Sequence, residues 1–277
     1  MNKFFDTKQI IDKSDILQII EINIGGAGQL VSFETQSLTG MKDIIGIALI
    51  NPNPLTAGHG TLRLRVGDTE ILPNGFHADI ISKFNPKEIS TKVDFAFKDY
   101  IFPAKVEAKG KPVKIDYTEP QDGSNGKLHL YLLGVKGCCN LQIPKHRFQI
   151  IQIDVPQGGN TNDIEIPIDE KTILSHNKVK GVFLVGVSNR IKKLRLCIDG
   201  NSVLPDGFQA QLVTKELVSN SSINGSSGIF TKHIIPVSNL IYLTDQKAKN
   251  SEIEGSLWAV PSPSVAYKMY LYLIAEL

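Results

Sequence analysis

Apolar side chains recur along this chain mainly at every second position, the period of a strand with one buried face, and seldom at the 3.6-residue spacing of a helix. Ile20, Ile22 and Ile24 share one face while Glu21 and Asn23 take the other. Leu62, Leu64 and Val66 alternate with Arg63 and Arg65, and Leu194, Leu196 and Ile198 alternate with Arg195 and Cys197. Sharp turns separate such runs. In Leu72-Pro73-Asn74-Gly75-Phe76 and Leu204-Pro205-Asp206-Gly207-Phe208, proline presets φ at the first central position, Asn or Asp tolerates the second, and glycine accepts positive φ. Beyond each turn the alternation predicts a further strand, with Phe76, Ala78 and Ile80, or Phe208, Ala210 and Leu212, facing inward. His77 then points outward to solvent. Convincing long helices are absent, although residues 12–20 and 84–90 leave room for one or two turns, the latter limited by Pro86.

The same pattern occurs twice. Residues 62–81 lie without a gap on residues 194–213, an offset of 132, and eight of the twenty positions are identical. Near the start of each half, residues 17–24 match 148–155 at an offset of 131, and near the end residues 127–133 match 268–274 at an offset of 141. Three collinear matches mean a duplication, and its period is too long for a solenoid or propeller unit. The halves run from 13 to 143 and from 144 to 277, each the size of an ordinary domain, after an amino-terminal arm of residues 1–12. Counting runs between turns gives roughly seven to nine short strands per half, the spacing of a sandwich. Each half therefore reads as an antiparallel β-sandwich, all-β in class.

Three inserts break the symmetry. Residues 51–60, Asn-Pro-Asn-Pro-Leu-Thr-Ala-Gly-His-Gly, stand where the second half has only Ser188, Asn189, Arg190 and a short continuation, and should form an exposed loop. Residues 122–126 form a turn, and residues 219–228 are a Ser/Asn/Gly-rich flexible stretch. Asn220 and Asn224 sit there in glycosylation-type triplets, taken as coincidence without a secretory signal.

Composition narrows the function. A chain of 277 residues buries two substantial cores without disulfides or metal. Thirty basic against twenty-eight acidic side chains, with no run of either sign, leave no electrostatic footprint for nucleic acid. Three cysteines, of which Cys138 and Cys139 are adjacent, fit a reducing compartment. The amino terminus is interrupted by charges and lacks a signal-peptide core, so the chain is expected to be made and assembled in the cytosol.

No catalytic constellation emerges. The six histidines His59, His77, His129, His146, His176 and His233 show no metal-pair spacing. Gly25-Gly26-Ala27-Gly28 lacks the third glycine and the following helix of a phosphate loop, and Arg190 replaces the last glycine of a nucleophile elbow at 186–190. Cys138 and Cys139 read as inert thiols. Asp68, Glu70, Asp163, Glu165 and Asp199 are acidic enough for a structural calcium ion, but their spacing matches no calcium loop. Trp258 is the one tryptophan, and the chain is poor in the aromatics a glycan-binding face displays. No catalytic, cofactor-binding or metal-binding residue is assigned.

Two tandem eight-stranded sandwiches sharing the phrase Leu-Arg-Leu-x-(Val/Ile) and then Leu-Pro-x-Gly-Phe resemble the double jelly-roll major capsid proteins of tailless, membrane-containing icosahedral bacteriophages, the corticoviruses and finnlakevirus-type phages among them. That resemblance implies a homotrimer in which six similar sandwiches make a pseudo-hexagonal tile, further contacts to neighbouring capsomers and to a penton protein, and a place in the virion. It implies no enzymatic activity and no direct contact with nucleic acid. The arm, with Phe4, Phe5, Ile10 and Ile11 among lysines, would run along the inner face toward a neighbour or the internal membrane. Two other readings stay open: a tandem-sandwich protein that binds glycans or a receptor, as a spike does, and a two-domain jelly-roll glycan amidase.

Overall fold

The computed structural model describes residues 7–51, 60–84, 101–119, 126–137, 143, 145–159, 162–174, 178–216 and 240–276. A short helix α1 (Thr7–Lys13) leads into β1 (Ile16–Ile24), β2 (Leu30–Glu34), β3 (Asp43–Asn51), β4 (Thr61–Val66), β5 (Thr69–Leu72), β6 (Ser82–Phe84), β7 (Phe102–Glu107), β8 (Val113–Thr118) and β9 (Gly126–Val135). The second half contains β10 (His146–Val155), β11 (Ile164–Lys171), β12 (Lys178–Gly186), β13 (Ile191–Ile198), β14 (Asn201–Leu204), β15 (Thr214–Glu216), β16 (Tyr242–Lys247), β17 (Glu252–Ala259) and β18 (Tyr267–Glu276). In the first half one sheet runs β1-β9-β3, with β6 and β7 on the far edge of β3, and the other runs β2-β8-β4-β5. The second half repeats this as β10-β18-β12, with β15 and β16 on β12, and β11-β17-β13-β14. First and last strands adjacent in one sheet, with β2, β8, β4 and β5, or β11, β17, β13 and β14, forming the other, make a jelly roll. The protein is two jelly-roll sandwiches, and the three-residue β6 and β15 add a short parallel pairing to each.

The duplication extends to hydrogen-bond register. Leu17 faces Leu133 across β1 and β9, and adding the offsets of 131 and 141 gives Phe148 facing Ile274, the pair observed across β10 and β18. The irregularities repeat too. β3 slips against β9 between Ile44 and Gly46, and β12 slips against β18 between Val179 and Gly181. A second slip falls between Leu64 and Arg65 against β5, and between Leu196 and Cys197 against β14. Bulges bend and twist a strand, so keeping them keeps the curvature of both sheets. Inside each roll the period-two faces behave as expected. Ile20, Ile22, Leu62, Leu64 and Val66 are buried in the first, and Ile151, Ile153, Leu194, Leu196 and Ile198 in the second, each stabilising by about 1.5–3 kcal/mol.

The two Pro-x-Gly turns match expectation, but the segments after them depart from it. Phe76 N donates to Pro73 O at 3.2 Å and Phe208 N to Pro205 O at 3.1 Å, with Gly75 at φ 78° and Gly207 at φ 82°. Instead of a strand, a 3-10 turn comes next in each half, at Ala78–Ile80 and Ala210–Val213. Residues three apart share a face in such a turn. Ala210 and Val213 therefore point inward, while Leu212, expected inside, is 64% exposed. Only one bridge, Thr61 to His77 or Lys193 to Gln209, joins each of these segments to a sheet.

The shared framework is used differently on its outside. At the slip in β3, Ile45 packs with Ile10 of α1, Ala48, Ile101, Leu133 and Val135 in a second, smaller cluster. At the corresponding slip in β12 stands Lys180, whose amine lies 2.7 Å from Asp245. Residues 7–12 of the arm thus lie in a helix against the first roll, whereas Phe4 and Phe5 lie outside the described residues. The helix ends where Ser14 N donates to Ile10 O at 3.0 Å and Ser14 Oγ to Ile11 O at 3.1 Å, and Asp15 N then joins the sheet through Gly134 O. Ile10 is 1% exposed and is the side chain that pins α1. Ile10→Val should lower stability by about 1 kcal/mol, read from urea denaturation, and should speed amide exchange in α1 ahead of the strands.

Candidate functional site

The densest set of buried polar side chains described lies where the chain re-enters the first sandwich after the 51–60 insert. Tyr117, on the inward face of β8, donates its hydroxyl to Glu119 Oε2 at 2.6 Å and accepts from Gly60 N at 3.0 Å. Gly60 precedes β4, and a Cβ there would overlap the Thr118 carbonyl oxygen, so this entry admits no side chain. His77 and Asp79, at the start of the 3-10 turn, are buried nearby. Burial pushes the Tyr117 hydroxyl above the usual phenol range, with the Glu119 carboxylate adding to the effect. Burial also holds the His77 imidazole down at about 4, against the opposing pull of Asp79. At neutral pH the cluster therefore contains a neutral imidazole and an un-ionised phenol beside carboxyl groups. This is an anchor that senses acid; with its reactive atoms enclosed, Tyr117 is poorly placed to attack a substrate.

The second roll has no counterpart. Leu62 faces Tyr117 as Leu194 faces Leu257, so β17 places Leu257 and Ala259 where β8 and its continuation place Tyr117 and Glu119. Gln209 and Gln211 replace His77 and Asp79. The alternation predicts a solvated His77, yet it is 6% exposed, whereas Gln209 at the same place before the same turn is exposed, so packing particular to the first roll encloses it. The replacement of His77 and Asp79 by two glutamines is a signal of this cluster in the sequence.

Other residues of interest are dispersed. His129 on β9 is half-buried, 3.8 Å from Glu21, and Lys127, bonded to the same carboxylate at 2.8 Å, holds Glu21 below the ordinary carboxylate value. Burial lowers His146 on β10 to about 4. Residues 25–28 form the loop between β1 and β2. Of the acidic residues considered for calcium, Glu70 pairs with Arg63 at 2.8 Å and Glu165 accepts from Ser256 Oγ at 2.6 Å; among the described residues no three His, Cys, Asp or Glu side chains gather as a metal would require. Cys197 is a free, half-buried thiol. His59, His176, His233, Cys138, Cys139, Asn220, Asn224 and most of the three inserts lie outside the described residues.

One exterior region of the first sandwich is apolar. β1 and β2 are the edge strands on the same side of the first sandwich, and they display Leu17 at 55%, Ile19 at 52% and Leu30 at 60% exposure. Apolar side chains on an open strand edge invite pairing with another chain. At the position equivalent to Leu17, Phe148 is 8% exposed and meets the Tyr272 ring edge-on at 6.4 Å.

No known protein family profile matches the chain, and no curated protein matches it. Solved structures do. The chain is similar to the major capsid protein P2 of bacteriophage PM2, with 10% identity, a TM-score of 0.45, and 94% of this chain and 98% of that one covered. It is similar to the mavirus major capsid protein, with 8% identity, a TM-score of 0.40, and coverage of 94% and 86%. It is also similar to a peptide-N(4)-(N-acetyl-beta-D-glucosaminyl) asparagine amidase, with 10% identity, a TM-score of 0.37, and coverage of 94% and 96%. At this identity none of them assigns a role to a residue here.

Proposed function

We propose that this chain is the major capsid subunit of a tailless icosahedral virus and acts by self-assembly, without turnover. The observation that carries the reading is the depth of the duplication: strand order, register, turns and two pairs of bulges repeat between the rolls, while Ile45 and Lys180, Leu17 and Phe148, and His77 and Gln209 diverge. A tile with six similar walls from three subunits needs equal frameworks, and walls that meet different neighbours need different surfaces. A shared catalytic centre would keep surface chemistry and let the framework drift. On this reading residues 13–143 and 144–277 are the two walls of each subunit, and the 1–12 arm extends toward an internal membrane or a neighbouring capsomer. A penton protein would close the vertices of the shell, and the protein would reside in the virion after assembly in the host cytoplasm.

Light scattering coupled to size exclusion, followed by negative-stain imaging, tests this directly. The expected result is a trimer that passes into larger, regular particles as concentration rises. Ile19→Asp on the exposed edge should reduce assembly at least tenfold while leaving the thermal midpoint unchanged, because the side chain is already in water. A chain that stays monomeric at high concentration contradicts the proposal. Release of asparagine-linked glycans from a glycoprotein by the purified chain would move the assignment to an amidase.

A further inference from the structure

β13 opens on a bulge, slipping against β17 between Ile191 and Lys193. The extra residue is Lys192. Its insertion interrupts the alternation, so that Lys192 and Lys193 are both exposed between buried Ile191 and Leu194. Bulges of this kind re-aim a side chain. Here the re-aimed side chain is a cation beside another, since Arg190 closes the 3-10 turn Ser188–Arg190 just before β13.

Arg190 and Lys192, with Asn189, line a cleft of about 440 Å³ whose other walls are Gly159, Val260, Pro261 and Pro263. Those walls are braced. Gln157 Nε2 donates to Pro263 O at 2.9 Å, Gly158 N to Ser262 O at 3.0 Å and Tyr267 Oη to Val260 O at 2.9 Å. Val260 N donates to Arg190 O at 2.7 Å, and Arg190 Nη1 donates to Pro261 O at 3.2 Å. That last bond orients the guanidinium while using one of its five N–H donors. Among the described residues neither Arg190 nor Lys192 has a carboxylate within ion-pair distance, although the other exterior lysines of the second roll on β12, Lys178 and Lys180, share Asp245.

We infer that this cleft binds a small ligand through an oxyanion, a phosphate or a carboxylate, with Arg190 and Lys192 as its charge partners and Pro261 and Pro263 against its uncharged body. A planar guanidinium pairs such groups through two parallel bonds, and the ammonium adds a point charge. The volume is that of a ligand site for a compact molecule. The first roll has Gly58, His59 and Gly60 where the second has Arg190, Ile191 and Lys192, so the site belongs to one roll only. It operates whether or not the chain assembles.

Calorimetric titration of the full chain with inorganic phosphate, with glucuronate and with glucose tests the site. Saturable binding of phosphate or glucuronate, weakening with added salt, is expected, with none for glucose; the tighter anion identifies the source of the charge. Lys192→Glu should weaken that binding at least tenfold with an unchanged thermal midpoint. Arg190→Gln should do the same, and if it destabilises the Pro261 loop, Lys192→Glu alone carries the reading. Absence of saturable binding by both anions, or affinity that Lys192→Glu leaves unaltered, overturns the inference.

Discussion

Replacing His77 with Gln should remove about 3 kcal/mol of acid sensitivity from this protein. The buried imidazole titrates at about 4, below the 6.5 of an unfolded chain. Above pH 6.5 both states hold it neutral, and its neutrality costs folding nothing. As pH falls below 6.5 the unfolded chain takes up the proton while the folded chain does not, so stability declines by about 1.4 kcal/mol per pH unit until the folded group also titrates near 4. Gln is the residue the second roll carries at the equivalent position, in the same 3-10 context. Urea denaturation at pH 7, 5 and 4 measures the effect. Between pH 7 and 4 the variant should lose about 3 kcal/mol less stability than the parent, and His146, also lowered to about 4, should leave the remainder of the acid limb in place. Parallel curves for the two proteins would refute the assignment of His77 as a buried neutral group.

Tyr117→Phe should cost about 2–3 kcal/mol at neutral pH although it deletes one atom. The hydroxyl both donates to Glu119 and accepts from Gly60 N, and its loss takes one hydrogen bond from a buried carboxylate and one from a buried N–H. Removing one member of a buried polar set costs far more than the set contributes as a whole. The sharper test is the double variant Tyr117→Phe with Glu119→Ala, which takes the Glu119 position to the residue found on β17. It should recover more than half of the loss, because the carboxylate that lost its phenol donor is then removed as well. Thermal denaturation of the four proteins gives the coupling, expected at about 1–2 kcal/mol. Strict additivity would show that the Tyr117 hydroxyl and Glu119 do not act together.

Much of the framework is legible in the sequence. The offsets of 131 and 141 carry the β1–β9 register onto β10–β18 residue for residue, because strand pairing is encoded by the alternation that those matches preserve. The bulges are partly legible. Gly46 and Gly181 come just after the same slip, and Ile191 and Leu194 are three apart where a regular strand sets inward residues two or four apart. The candidate sites are less so. The alternation leaves His77 in water, as it leaves Gln209, and only the first roll's packing encloses it; the cluster with Tyr117 and Glu119 joins residues about forty positions apart, a distance that no local pattern spans.

Sequence alone determined that the chain is two copies of one β-sandwich, because side-chain alternation and turn residues act over a few positions and repeat wherever the chain repeats. The tertiary structure decided which equivalent positions part company. Leu17 and Phe148 occupy the same place on the same strand, and one is open to water while the other is enclosed. Ile45 and Lys180 occupy the same bulge, and one holds a helix while the other holds an ion pair. Burial depends on what arrives from distant parts of the chain, and that arrival is set by packing, whose partners a period of two does not encode.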